Sequence, residues 1–309
     1  MEENTRLKLK LLVSYFAIYV IWGSTYIGVA IALETIPVCF IGGFRFTFAG
    51  LVLMGYALRR GCGKPTAANW KVATKSGVLS FFIAFGMMTW AQKSVPSSVT
   101  ALFFSMEPAI FVVMSWLFFG GPRPTKRIVL AQVIGFAGCA LLILNGADAA
   151  IAGKEVSRSM YTVSALSLIV CSLSWVYGSL LSTTGDSHAD SSMASGMQML
   201  AGGVVLLSVS AASGEFFLLS RVSLRSVAAL VYLTLLGSLY TYSSFVFLLR
   251  SQPAAKVASH TFVNPVVAVI LGWAFAGESL TLPILVAAIL VVVSVLLVVC
   301  PSRVGCKRV

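Results

Sequence analysis

Two charged residues, Arg45 and Glu107, stand inside long apolar stretches of the sequence. A charge near the centre of a bilayer costs about 2.5–3.5 kcal/mol, so such a side chain is expected to face the protein interior and find a partner there. At about 1.5 Å per residue, Arg45 and Glu107 lie roughly 12 and 15 Å from the same ends of their predicted helices. The sequence therefore predicts a charge pair, or coupling, between Arg45 and Glu107. Glu107 could alternatively bind a substrate or carry a coupling proton.

Two prolines directly follow polar residues within predicted helices, Pro108 after Glu107 and Pro265 after Asn264. Proline lacks an amide hydrogen, so it frees a carbonyl one turn earlier and kinks the helix. Backbone exposed in this way is tolerated in a bilayer mainly where it lines a cavity. We therefore predict helix kinks at Pro108 and Pro265, which either border a substrate cavity or serve packing alone.

His260 precedes Asn264 by four residues and lies on the same face of the predicted helix. Histidine titrates near neutral pH, which would suit proton coupling, although a membrane histidine can also hydrogen-bond a neighbouring helix. The other candidates are polar or aromatic residues that could line a substrate site, with helix–helix hydrogen bonding or an interfacial aromatic belt as alternative roles. They are Gln92, Gln198, Ser24, Trp22, Trp90, Trp175 and Tyr242.

The sequence lacks the motifs of metal-dependent and serine hydrolases. Its two histidines, His188 and His260, are far apart, and no H-E-x-x-H or G-x-S-x-G motif occurs. The six cysteines include no C-x-x-C pair. We therefore expect no catalytic residue, no metal site and no cofactor. An intramembrane enzyme with a serine nucleophile and His260 as its base, or a channel, stands as the alternative to a transporter.

The composition indicates that the elements which position these residues are surrounded by lipid. Of the 309 residues, 58% are apolar and 10% are charged, and the mean hydropathy is +0.94. A soluble domain has about 45–50% apolar and about 25% charged residues, and it could not cover its surface with so few charges. The net charge of +12 comes from basic residues in short breaks between apolar runs, a pattern typical of membrane topology rather than of nucleic-acid binding.

A transmembrane helix needs about 17–25 mostly apolar residues, and ten segments meet this requirement. They span residues 11–32, 37–58, 71–92, 97–119, 127–145, 160–181, 193–212, 226–248, 254–276 and 283–300. We therefore predict an all-α membrane protein with about ten transmembrane helices. Of the 22 Lys and Arg residues, 16 fall on the side of the N-terminus and 5 on the other side, which predicts that both termini are cytoplasmic.

The sequence contains two similar halves, offset by about 153–157 residues. Trp22-Gly23-Ser24 corresponds to Trp175 with Gly178-Ser179, and Glu107-Pro108 corresponds to Asn264-Pro265. Because each half has five spans, an odd number, the halves must have opposite orientations. Inverted repeats of this kind are found in transporters that bind their substrate near the midplane. We predict repeats over residues 11–145 and 160–300.

The predicted substrate site lies between the segments 104–108 and 260–265, which converge from opposite faces near the centre of the bilayer. A carboxylate at Glu107 and a neutral amide at Asn264 would suit a zwitterion, or a neutral polar metabolite, with its amine near Glu107. Rocking of the two halves would expose this site to each side in turn. The expected partners are thus a small molecule and the lipid bilayer, and the chain could act as a monomer or a homodimer.

Several segments resemble the EamA family of the drug/metabolite transporter superfamily, and in particular its YedA-like inner-membrane members. These segments are Ile21-Trp22-Gly23-Ser24-Thr25-Tyr26, Gly43-Phe44-Arg45-Phe46, Glu107-Pro108 and Phe262-Val263-Asn264-Pro265-Val266-Val267-Ala268-Val269. The resemblance extends over essentially residues 11–300.

The resemblance implies a two-repeat fold of ten helices in the bacterial inner membrane, with a central cavity lined largely by helices 3, 4, 8 and 9. It also implies export of amino acids or related metabolites. One departure is visible. The family often has an acidic residue after the glycine that ends helix 4, and this sequence has Gly121 there, whereas the second half keeps Gly277-Glu278.

Overall fold

The computed structural model of the protein describes residues 2–145, 156–184, 191–252, 257 and 260–299, which form helices and no strand. In chain order the helices are α1 (Thr5–Ala32), α2 (Val38–Arg59), α3 (Ala67–Ala91), α4 (Ser97–Phe118), α5 (Lys126–Leu144), α6 (Arg158–Ser182), α7 (Ser191–Ala212), α8 (Leu224–Phe245), α9 (His260–Ala276) and α10 (Leu282–Val299). Helical structure extends from α1 back to Glu2 and from α8 on to Ser251. A short 3-10 helix, Glu215–Arg221, connects α7 to α8.

Helices α1 to α8 are long and apolar enough to cross a membrane, and α9 and α10 are shorter apolar helices. The prediction of an all-helical membrane protein with about ten spans is therefore confirmed. The predicted ninth span began at residue 254, but residues 253–256 and 258–259 lie outside the described part of the chain. Large apolar side chains such as Leu117, Leu130 and Ile289 are more than half exposed, as expected for residues that face lipid.

Four helices depart from regular α-helical geometry. π-helical segments interrupt α1 at Ala17–Ile21, α3 at Val78–Ala84 and α8 at Leu233–Tyr240. The fourth helix, α4, ends its first segment at Phe104 and begins its second at Glu107. Such irregular backbone in a membrane helix is tolerated where neighbouring helices or a cavity supply hydrogen-bond partners.

The two predicted kinks differ in the structure. Pro108 lies in the first turn of the second segment of α4, Glu107–Phe118, where its missing amide hydrogen breaks no bond within that segment. Pro265 lies inside α9, which is assigned as one continuous helix from His260 to Ala276. The break is thus confined to α4.

The helices α2 and α7 pack closely against each other through glycines. Gly43 meets Leu207, and Gly50 meets the backbone of Leu200. The residue number increases along α2 while the number of the contacted residue decreases along α7, so the two helices are antiparallel. Their close approach requires small residues at the crossing points.

The helices α5 and α10 form a second antiparallel pair. Gly135 lies against Ser294, whose hydroxyl donates to the Ala131 carbonyl at 2.7 Å, and Gly138 lies against Val291. Because α2 corresponds to α7 and α5 to α10, corresponding helices of the two halves run in opposite directions. The halves are therefore inverted relative to each other.

The remaining contacts between helices also occur in corresponding pairs, so that a contact made by a helix of one half is repeated by its counterpart in the other half. Helix α1 packs against α8 and α9, and its counterpart α6 packs against α3 and α4. Likewise α2 packs against α8, and its counterpart α7 packs against α3. The largest cluster of buried apolar residues includes side chains of α1, α3, α4, α6, α8 and α10, so the core lies between the halves rather than within either one.

Candidate functional site

Glu107 is a partly exposed carboxylate at the break in α4, and it forms no hydrogen bond with any residue that the structure describes. Its electrostatic neighbours are the Tyr26 hydroxyl of α1 and the Cys171 thiol of α6. The Tyr26 ring also contacts the Phe104 ring, with centroids 6.1 Å apart. A carboxylate held among helices without a protein partner is free to bind a cationic group.

The backbone around Glu107 adds polar groups to the same place. The amide of Ala109 donates to the Met106 carbonyl at 3.1 Å, a bond of a tight turn rather than of the regular helix. Because Pro108 has no amide hydrogen, the Phe104 carbonyl lacks the donor that a regular helix would give it. The break therefore leaves the Phe104 carbonyl without its usual helical partner.

The two segments of α4 differ in how tightly they are packed. Every residue from Ser97 to Phe103 is buried, whereas residues 111–115 are only partly buried. Helix α9 packs against the first segment, Ser97–Phe104, and the second segment, Glu107–Phe118, packs mainly against α5, α6 and α10. Glu107 thus lies between a fully buried part and a partly buried part of α4.

The predicted charge pair between Arg45 and Glu107 is absent, which corrects the sequence prediction. Arg45 is 5% exposed, and its Nε donates to the Ser238 hydroxyl of α8 at 2.5 Å. Its guanidinium also lies 5.1 and 5.2 Å from the ring centroids of Phe46 and Phe85. The rise per residue predicts how far along its helix each residue lies, but it does not predict the direction in which the side chain points. Arg45 points towards α8 rather than α4.

Asn264 connects two helices. With its amide nitrogen turned towards α1, it donates to the carbonyls of Ile18 at 2.9 Å and Tyr19 at 3.0 Å. Both carbonyls belong to the π-helical segment of α1, where regular helical bonds are interrupted. The Asn264 backbone also closely approaches Gly23. The geometry therefore supports helix–helix hydrogen bonding by Asn264 rather than a place in the predicted substrate site.

Trp22, His260 and Tyr242 belong to one aromatic cluster between α1, α8 and α9. The Trp22 and His260 rings are stacked, with centroids 5.2 Å apart and an interplanar angle of 8°. Phe245 contacts both rings edge-on and also contacts Tyr242. The His260 Nδ1 lies 2.9 Å from the Val257 carbonyl. These contacts join α1, α8 and α9 through one group of packed rings.

The other candidates are not assembled with Glu107 into one group of contacts. The Ser24 hydroxyl lies 2.5 Å from the Tyr232 hydroxyl of α8. Trp90 and Trp175 pack against the main apolar core. Gln92 is buried, with both amide atoms unpartnered in the described structure, and Gln198 lies where α7 crosses Gly77 of α3.

The structure links four further residues, which were not themselves predicted, to the predicted site residues. Contacts are made by Tyr232, Ser238 and Phe245, and Tyr26 interacts electrostatically with Glu107. Tyr26 could have been found, because it stands four residues after Trp22 and shares its helix face. The other three lie on α8 and carry no signal in the sequence that links them to α1 or α2. Within the described residues no group of His, Cys, Asp or Glu is arranged to hold a metal ion.

Comparison with known proteins gives the same architecture. The EamA-like transporter family matches the chain twice, over residues 10–144 and 162–300. A solved crystal structure of another protein superposes with a TM-score of 0.62 at 17% identity, covering 94% of this chain and 96% of the other. At that identity the likeness concerns the fold alone.

Several bacterial proteins are similar to this chain over most of their length. The chain is 34% identical over 267 residues to the inner membrane transporter YedA of Escherichia coli K12, covering 86% of this chain and 83% of YedA. It is 25% identical over 303 residues to the transporter YvbV of Bacillus subtilis, covering 98% and 95% of the two chains. It is 28% identical over 275 residues to protein PecM of Dickeya dadantii, covering 86% and 85%.

Proposed function

This chain belongs to the EamA-like transporter family, and from this premise we propose that it is a secondary-active exporter of small metabolites that carry an amine, such as amino acids or related zwitterions. The family and its relatives are transporters and not enzymes, as the sequence predicted. The substrate class, the direction and the mechanism are what we propose beyond the family.

The observation that carries the proposal is the free carboxylate of Glu107. It is a carboxylate inside a helix bundle, it interacts electrostatically with Tyr26, and it has no hydrogen-bond partner among the described residues. A charge held inside a membrane protein is costly unless it is paired, so a cationic group is the ligand that such a site favours. An ammonium group would pair with the carboxylate, and the Phe104 carbonyl, which Pro108 leaves without its helical donor, is a further acceptor for its protons.

The aromatic cluster between α1, α8 and α9 supports an organic amine rather than a bare metal cation. Stacked rings of Trp22 and His260 offer a flat apolar surface of the kind that substrate pockets use. A dianion would be a poor substrate, because the Glu107 carboxylate would repel it. When the amine leaves, a proton could take its place on Glu107, and this exchange would couple transport to protons.

We further propose that transport occurs by alternating access, with residues 11–145 and 160–300 as the two moving repeats. The antiparallel pairing of corresponding helices supports this assignment, because inverted repeats can exchange their conformations across the membrane. Glu107 lies near the middle of α4, about 10 residues or roughly 15 Å from its first residue. We place the protein in the bacterial inner membrane with both termini in the cytoplasm.

Reconstituted protein tests the proposal. Purified protein in proteoliposomes should accumulate a labelled amino acid or related amine against its concentration gradient, which neither a channel nor an enzyme could do. Glu107→Gln should raise the KM of transport by at least about tenfold, because a hydrogen bond to a charged group contributes about 1.5–3 kcal/mol. Glu34→Gln is the matched control, since Glu34 is an exposed carboxylate paired with Arg225.

The transport measurements separate the role of Glu107 from the question of whether the protein is a transporter or a channel. If Glu107→Gln folds and transports with an unchanged KM, Glu107 does not bind the substrate. If the wild-type protein equilibrates the solute without accumulating it, the channel alternative is favoured. A thermal-shift screen of amino acids and other amines with the wild-type protein would identify the solute to use.

A further inference from the structure

Glu278 joins the two halves of the protein at one end of the bundle. It is 4% exposed and lies in the connection between α9 and α10. One carboxylate oxygen accepts from the Ser97 amide and hydroxyl, both at 2.6 Å, and the other accepts from the Ser98 amide at 3.0 Å and hydroxyl at 2.5 Å. These are four charge-assisted bonds to the first turn of α4, where the helix dipole also favours a negative charge.

Glu215 makes a second contact of the same kind at the same end. Its carboxylate accepts from the amides of Phe40 at 3.0 Å and Cys39 at 3.4 Å, in the first turn of α2. Glu215 belongs to the second half of the chain and α2 to the first half. Both carboxylates therefore hold a helix start of one half against a connection of the other half.

The sequence lacks the corresponding group at the opposite end. The repeat offset matches Glu278 to Gly121, and it matches Ser97 and Ser98 to Ala254 and Ala255. The carboxylate and both hydroxyls are thus missing together. Two inverted repeats with identical ends would have no preferred direction of opening, whereas this chain has a strong polar contact encoded at one end only.

We propose that Glu278 with Ser97 and Ser98 forms a conformational clasp, which keeps this end of the transporter closed and biases the protein towards the state that is open at the other end. The proposal rests on the alternating access proposed above. The packing agrees with it: residues 97–103 beside the clasp are all buried, and residues 111–115 further along α4 are only partly buried. By the distribution of basic residues, the clasped end is the outer one.

Unlike a permanent structural contact, the clasp must break and re-form in each transport cycle. Export requires the outer end to open once in each cycle, and α4 and the α9–α10 connection lie on opposite halves. Opening that end therefore breaks all four hydrogen bonds to Glu278. The strength of the Glu278 contact sets how often the outer end opens. Weakening it shifts the population towards the state that is open at that end, without removing the substrate site at Glu107.

Distance measurements between spin labels test the clasp. Exposed Lys93 of the first half and Leu282 of the second half are each replaced by a labelled cysteine, in a variant whose natural cysteines have been replaced. The parent protein should show mainly the short distance of the closed end. Glu278→Gln should increase the population at longer distance by about tenfold or more, because a charge-assisted bond contributes enough to shift an equilibrium by that factor.

Two further variants test whether the change in distance comes from the contact between Glu278 and α4. Ser97→Ala with Ser98→Ala should shift the population in the same direction but less, since the two amides still reach Glu278. Glu34→Gln, which alters an exposed ion pair at the same end, should leave the distances unchanged.

Unchanged distances in both Glu278→Gln and the double serine variant would overturn the proposal. If Glu278→Gln does not fold, the serine variant decides alone. The measurement needs no substrate, so it can fail while transport at Glu107 is established, or succeed while the substrate class proves wrong.

Discussion

At the scale of single residues, Glu107 and Asn264 show how the two halves have diverged. They occupy corresponding positions, each directly before a proline. Asn264 bonds two carbonyls of the π-helical segment in α1. The counterpart of α1 is α6, which is a continuous α-helix from Arg158 to Ser182 and offers Glu107 no such carbonyls. Asn264 is thus hydrogen-bonded within the protein, whereas Glu107 has no hydrogen-bond partner among the described residues.

This difference predicts that substitution of Asn264 affects stability, whereas substitution of Glu107 affects substrate affinity. Asn264→Leu should lower the stability of the protein by about 1–2 kcal/mol, because it removes the bonds between α9 and α1. Glu107→Gln should instead change substrate affinity with little effect on stability. Thermal unfolding in detergent and the KM of transport separate the two effects. An Asn264→Leu protein with normal stability and lost affinity would show that Asn264 contacts the substrate.

Arg45 gives a second prediction at this scale. Ser238→Ala removes the one hydrogen bond that Arg45 makes among the described residues, and should cost about 1.5–3 kcal/mol of stability. The Arg45→Gln and Glu107→Gln effects should add to within about 0.5 kcal/mol, because the two side chains are not in contact. A double-mutant cycle on thermal unfolding measures this. A larger interaction energy would mean that they pair in another conformation.

At the scale of helices, close packing explains why glycines recur in α2 and α7. A side chain on Gly50 would meet the backbone nitrogen of Leu200 at 2.6 Å and the Gly196 carbonyl at 2.7 Å. Backbone cannot move aside as a flexible side chain can, so the two helices would have to separate. Between lipid-embedded helices, such contacts supply much of the packing energy.

Gly50→Ala should therefore destabilise the protein, whereas Gly55→Ala should not. Gly55 lies in the same helix and would meet nothing within 4 Å of an added methyl group. Alanine also favours a helix over glycine by roughly 0.5–1 kcal/mol, so Gly55→Ala is expected to be neutral or stabilising. Thermal unfolding of the two variants checks the difference. Equal melting temperatures would contradict the tight α2–α7 contact.

At the scale of the whole molecule, the orientation in the membrane follows from the placement of charge. With 16 basic residues on one side and 5 on the other, both termini are expected in the cytoplasm. Reporter fusions at residue 309 and within residues 148–158 should report opposite sides of the membrane. Signals from the same side would be incompatible with ten spans in two inverted repeats.

The sequence alone was enough to determine the fold class, the number of spans and the inverted repeats. Each follows from properties that are local or periodic along the chain: apolar runs as long as the bilayer is thick, and similar motifs at one offset. The depth of Arg45 and Glu107 also followed, because rise per residue fixes depth along a helix.

Only the tertiary structure decided which side chains meet. Helix rotation and neighbour choice depend on packing between segments far apart in sequence, so nothing local showed that Arg45 would reach Ser238 and leave Glu107 unpaired. The same holds for Asn264, whose partners exist because α1 adopts a π-helical segment at that place. Glu278 was visible in the sequence as a departure from symmetry, but its four bonds to Ser97 and Ser98 arise only because the two halves close together at that end.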